Sequence, residues 1–156
     1  MFDTPADAPP LLVALSLVST ALAGVAFAAT PPPAPSAAPL AGTVDAVAAA
    51  DTAGTEAQRV DAEAVRLTPH EVGVRSAGGT AHAQFTYGPV VPVTEDTQLW
   101  RVLHGTPPDA VFDSPTALRA VTRHAADREH CWRHGASRLT VRRVAWRGVD
   151  VTLVGA

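Results

Sequence analysis

Lysine, asparagine and isoleucine are missing from this 156-residue chain, so its whole basic content is twelve arginines. That usage is expected of a GC-rich genome and concerns the genome rather than the fold. Without asparagine there is no acceptor for N-linked glycosylation. A single cysteine, Cys131, excludes an intrachain disulfide. Aromatic residues make up 5% and charged residues 17%, while hydrophobic types reach 47%, carried by alanine and valine. At this length one modest core fits, and a large multi-domain enzyme is excluded. Nucleophile elbows, phosphate-binding glycine loops and paired carboxylates are also lacking, so no catalytic residue is assigned and no cofactor is expected; Ser114 is better read as a helix cap than as a nucleophile.

Against these absences stands one long apolar run. Leu11 to Ala29 reads LLVALSLVSTALAGVAFAA, nineteen residues without a charge. As a helix at about 1.5 Å per residue it spans the roughly 30 Å hydrocarbon layer of a bilayer. Pro9-Pro10 and Pro31 to Pro33 mark its two ends. A cleaved secretory signal is the rival reading, through the small-x-small pattern Ala26-Phe27-Ala28, but the flank MFDTPADAPP supplies Asp3 and Asp7 where a positive n-region belongs. A buried core helix is the third reading. The anchor is preferred, giving a single-pass chain with an N-terminal tail over 1–10 and membrane lipid as its first partner. No arginine precedes Arg59, so charge counting does not orient the span. A short acidic N-terminus could itself cross and leave the arginine-bearing domain in the cytoplasm, whereas the proline-rich stretch that follows fits a domain held off an outer surface; the extracytoplasmic placement is preferred.

Residues 30–58 are mostly Ala, Pro, Thr and Gly with Asp45, Asp51 and Glu56, a composition that predicts a disordered spacer. Within it Thr43–Ala50 reads equally as two helical turns or as disorder. The first 58 residues hold five acids and no base, and residues 59–156 hold ten acids and twelve arginines.

Periodicity predicts an α+β domain over 59–156: a small antiparallel sheet of two hairpins with two helices packed on it. Val72 and Val74, then Ala81, Ala83, Phe85 and Tyr87, alternate about a turn at Ser76–Gly79. Thr94 is a candidate cap for a helix carrying Leu99, Val102 and Leu103 until Gly105. Ser114-Pro115 opens a second helix, with Leu118, Val121, Ala125 and Trp132 inward, running to Gly135. A terminal hairpin turns at Arg147-Gly148, with Trp146 opposite Val149 and Val144 opposite Val151. Leu139 and Val141 are out of phase with Val144, so a β-bulge at Arg142-Arg143 is predicted to restore one apolar face.

The start MFDTPADAP, the centre YGPVVPV and LWRVLHGTPPDAVFDSP, and the end LTVRRVAWRGVDVTLVGA resemble an uncharacterised family of short, N-terminally anchored haloarchaeal proteins. The resemblance implies a membrane-attached envelope protein of unknown function, similar to pilin-like components of secretion and pilus machinery, and brings no catalytic residues with it.

Two clusters remain. On a helix Asp127, His130 and His134 fall at i, i+3 and i+7 and would share a face as metal ligands, whereas His124 and Cys131 face elsewhere. The plainer reading places His130 and His134 in a last helical turn that favours cations. This pair underlies an alternative function, a metal-dependent sensor or enzyme. Secondly, eight arginines and three histidines lie between Arg119 and Arg147, against Asp127 and Glu129. The plainer reading is a solvated face paired with Asp109, Asp113 and Asp150; in the other, Arg119, Arg123, Arg142, Arg143 and Trp146 are the candidate contacts for an acidic protein, lipid or second copy of the chain. Nucleic acid is not expected, since lysine, a recognised motif and an aromatic-interleaved basic sheet are all missing. Trp100, Trp132 and Trp146 read as core or interface anchors. The preferred function is thus a non-catalytic, membrane-anchored interaction protein.

Overall fold

A computed structural model of the chain describes residues 32–156. The run Leu11–Ala29, with its anchor, signal and core-helix readings, lies outside the described residues. Among the described residues no helix is long and apolar enough to cross a membrane.

The domain is α+β, as the periodicity predicts, but it begins about twenty residues earlier. Ala38–Ala49 forms a helix, α1, and Thr55–Arg59 forms a strand, β1. Leu40, Ala41, Val44 and Val47 of α1 are buried. Leu40, Val44 and Val47 recur at helical spacing, and the surrounding alanines have the highest helix propensity. Pro39 sits in the first turn, where its missing N–H costs nothing. The expected spacer over 30–58 is therefore corrected: from Ala37, itself buried, the chain is part of the core.

Seven further strands follow: β2 Ala64–Leu67, β3 Glu71–Ser76, β4 Gly79–Gln84, β5 Val91–Pro92, β6 Arg133–His134, β7 Arg138–Trp146 and β8 Val149–Gly155. Between β5 and β6 lie helices α2, Gln98–Leu103, and α3, Pro115–Asp127. One sheet has the order β1-β7-β8-β5, with β5 parallel to β8; the second has the order β4-β3-β2-β6 and is antiparallel throughout. Two sheets replace the single expected one.

The terminal hairpin turns at Arg147-Gly148, both at positive φ (45° and 82°), the two-residue turn that suits the strand twist. Trp146 faces Val149 and Val144 faces Val151 as expected. The bulge is absent: pairing runs in unbroken register from Trp146–Val149 to Thr140–Gly155. The phase change has another cause, because the first sheet is buried on both faces. Leu139, Val141 and Val154 join α1 and the valines of the second sheet in one core cluster. Val144, Val149 and Leu153 join α2, α3 and Phe112 in another. A strand covered on both sides has no reason to keep all its apolar residues in one phase.

Both helix starts in this half follow side-chain caps. Ser114 accepts from the Ala117 N–H at 3.2 Å, with Pro115 next, as expected. For α2 the cap is Thr97, accepting from the Trp100 N–H, three residues later than the expected Thr94. Gly155 lets α2 approach: a Cβ there would lie 2.6 Å from Leu103 Cδ2 and 2.9 Å from Trp100 Cζ3.

Candidate functional site

The helix expected to reach Gly135 stops at Asp127, where Arg128 turns to an extended conformation. This removes the metal geometry. Asp127 ends α3, the His130 ring nitrogen Nε2 lies 3.2 Å from the Ala126 carbonyl, and His134 stands on β6 opposite Ala64. The three share no helix face. Among the described residues no group of three or more His, Cys, Asp or Glu side chains is close enough to hold a metal. Cys131 is exposed and unpaired.

What draws the chain out of α3 is Trp132. The register across the second sheet aligns Arg66 of β2, Gly73 of β3 and His82 of β4 in one row on the outer face, the side away from Val72 and Val74. Trp132 lies over the gap at Gly73, where a Cβ would sit 3.0 Å from Trp132 Cη2 and 2.9 Å from His82 Nδ1. The Arg75 guanidinium is 4.2 Å and that of Arg66 is 5.2 Å from the indole centroid. Each such cation–π contact is worth about 0.5–1 kcal/mol where solvent reaches it. His82 meets the indole edge-on at 6.0 Å. The Glu71 carboxylate accepts from Arg66 Nη2 at 3.0 Å and lies 3.5 Å from His82 Nδ1. Arg66 Nε has no hydrogen-bond partner among the described residues. The result is a half-buried tryptophan in contact with two arginines on the outer sheet face.

Beside this face a cleft of about 280 Å³ is lined by Glu95, Trp100, His104, Arg133, His134 and Arg138, among others. Arg133 pairs with Glu95 at 3.2 Å, and the His104 ring stacks on Trp100 with centroids 4.2 Å apart.

The arginines proposed as partner contacts divide differently. Arg142 donates through Nη1 to the carbonyl of Val102 and, at 3.5 Å, to that of Thr106, so it satisfies the end of α2. Arg143 donates to the Ala48 carbonyl at 3.1 Å and to that of Ala50, closing the end of α1. The same guanidinium holds Asp150 in a two-bond fork at 3.1 and 2.6 Å. Hydrogen bonding to Asp150 raises the Arg143 pKa above its ordinary value, and hydrogen bonding to Arg143 lowers that of Asp150. Arg119 donates to the Gly148 carbonyl at 2.7 Å, fastening α3 to the hairpin turn. Arg123 lines a shallow cleft with Thr122, Arg143 and Asp150. Trp146 is packed against the core on the α3 side. Arg142, Arg143 and Trp146 thus serve the fold from inside. Arg66, Arg75 and His82, which no reading of the sequence singled out, form the outer-face cluster around Trp132. They stand on three neighbouring strands of the second sheet, and the residue that unites them comes from a distant loop, so no local pattern marks them.

No curated protein and no solved structure matches the chain at a significant level. A family model does match, over residues 3–144, and takes in both the apolar N-terminal run and most of the folded domain. The chain belongs to the family of unknown function DUF7283.

Proposed function

We propose that the protein is a single-pass, membrane-anchored and non-catalytic component of the cell envelope, whose α+β domain is an interaction module on the extracytoplasmic side. The observation that carries the reading is the uncharged run Leu11–Ala29, long enough for a bilayer and lying within the family match. The interaction half draws on the outer face of the second sheet. Tryptophan and arginine dominate the energetics of protein interfaces, and Trp132 in contact with Arg66 and Arg75 is already oriented, so little side-chain freedom remains to be lost on binding.

The connector between run and domain is shorter in this reading than composition suggests. With Ala37 in the core it comprises residues 30–36, whose fully extended length is only about 25 Å.

Protease added to intact cells tests the reading. Loss of the 37–156 domain, with a cytoplasmic marker untouched, is the expected result. Full protection until the cells are lysed would place the domain on the inner side and overturn the extracytoplasmic assignment.

A further inference from the structure

Strand β4 is an outer edge of the second sheet. In an antiparallel pair the N–H and C=O of successive residues point alternately to the two sides. Phe85 N–H donates to the His70 carbonyl at 2.8 Å, which sets the phase: residues 79, 81, 83 and 85 bond toward β3. The N–H and C=O of Thr80, His82 and Gln84 therefore point outward, and among the described residues nothing pairs with them. The window has definite ends. At the next outward position, Thr86, the N–H donates to the Asp45 carboxylate of α1 at 2.8 Å, as does that of Tyr87 at 3.0 Å. At the other end lies the Ala77-Gly78 turn.

Unpaired edges are usually blunted by charge, proline or brevity. The other edges of the two sheets are so treated. β1 carries Glu56 and Arg59, β5 is two residues long with Pro92, and β6 is two residues long. β4, GTAHAQ, has six residues, no acid, no arginine and no proline. Tyr87, just beyond it, is 56% exposed, the large apolar side chain left in solvent among the described residues.

We propose that β4 pairs antiparallel with β4 of a second copy of this chain, about a two-fold axis through His82, joining two four-stranded sheets into one of eight strands. The occupant follows from the outward groups themselves. Their pattern is symmetric about His82, so Thr80 opposite Gln84, His82 opposite His82 and Gln84 opposite Thr80 satisfies all six at once. A shift of two residues leaves one residue's N–H and C=O bare on each copy. The strand has no acid and no arginine to meet its like, and Thr80 and Gln84 side chains are cross-strand neighbours able to hydrogen-bond. The pairing sets the two Trp132 faces side by side. It does not depend on the N-terminal run.

The test is register-specific cross-linking of the full chain in detergent, on a Cys131→Ser background. Directly opposed residues of a hydrogen-bonded antiparallel pair have Cα atoms about 5.5 Å apart, within disulfide reach. His82→Cys is expected to give a covalent dimer under mild oxidation. Thr80→Cys, whose two copies would lie four residues apart along the strand, roughly 13 Å, is expected to give none. No dimer from His82→Cys, or equal yields from both, overturns the proposal. Sedimentation of two charge variants checks it without cysteine. Thr80→Glu with Gln84→Glu, which sets acid against acid, should weaken dimerisation at least tenfold, whereas Thr80→Lys with Gln84→Glu, which sets base against acid, should retain it. Identical behaviour of two folded charge variants also overturns it. Membrane fractionation is unaffected by either result, so a failure here is distinguishable from a failure of the anchor reading.

Discussion

Arg142 and Arg143 are neighbours in sequence and point to opposite faces of β7, so each reaches a different helix. Each supplies donors to the last carbonyls of a short helix, groups that otherwise lack partners away from water. Arg142→Ala is expected to cost about 1.5–3 kcal/mol, the range for hydrogen bonds to charged groups, read as a lower denaturation midpoint with an unchanged slope. Arg142→Lys should recover only part of it, since an ammonium lacks the planar fork. On the other face, Asp150 ties pH to stability. Its pKa in the folded chain is lowered, chiefly by hydrogen bonding to Arg143. The stabilisation is therefore complete above the unfolded-chain value, about 3.9, and is lost as pH falls through the lower folded value. Thermal melts at a series of pH values should show wild type losing stability below about pH 4, with the loss reduced in Asp150→Asn. Equal acid sensitivity of the two would remove Asp150 from the account.

Among the elements, α1 decides where the domain starts. Leu40 is 4% exposed and packs between the first sheet and the inner valines of the second. Leu40→Ala is expected to cost about 2–5 kcal/mol, as buried leucine truncations do, measured by chemical denaturation. A true spacer would show no change. The same helix explains how much was legible from residues alone. The α+β class, the β3–β4 and β7–β8 hairpins, the Ser114-Pro115 cap and the turn at Arg147-Gly148 all rest on local rules, period and capping, that tertiary contacts did not override. Misread elements share a different cause. In α1 the alanines that favour a helix also blur its apolar stripe, so Leu40, Val44 and Val47 look like part of a proline-alanine spacer. In β7 the slip between Val141 and Val144 is a change of partner, from α1 to α3, which only a second layer reveals. In α3 the sequence Arg128 to Arg133 has no glycine or proline to stop the helix; the stop comes from Trp132 reaching Gly73 and from β6 pairing with β2. The outer-face site was hidden for the same reason, because its members lie on β2, β3, β4 and a loop some fifty residues away.

For the molecule as a whole, moving the domain boundary redraws its electrostatics. Asp45, Asp51 and Glu56 belong to the fold, so residues 37–156 carry thirteen acids and twelve arginines, close to neutral, rather than an arginine-rich body behind an acidic tail. Several of those arginines are spent on helix ends and on Asp150 and Glu95. A near-neutral fold with its arginines so engaged is not built for a broad electrostatic attraction to polyanions. What remains at this scale is whether lipid holds the chain. The most direct measurement is alkaline-carbonate extraction of membranes containing the full-length, unprocessed polypeptide, compared with a variant lacking Leu11–Ala29. The account predicts that the full chain stays in the pellet until detergent is added and that the shortened one is released. Recovery of the intact chain in the detergent-free supernatant would contradict it.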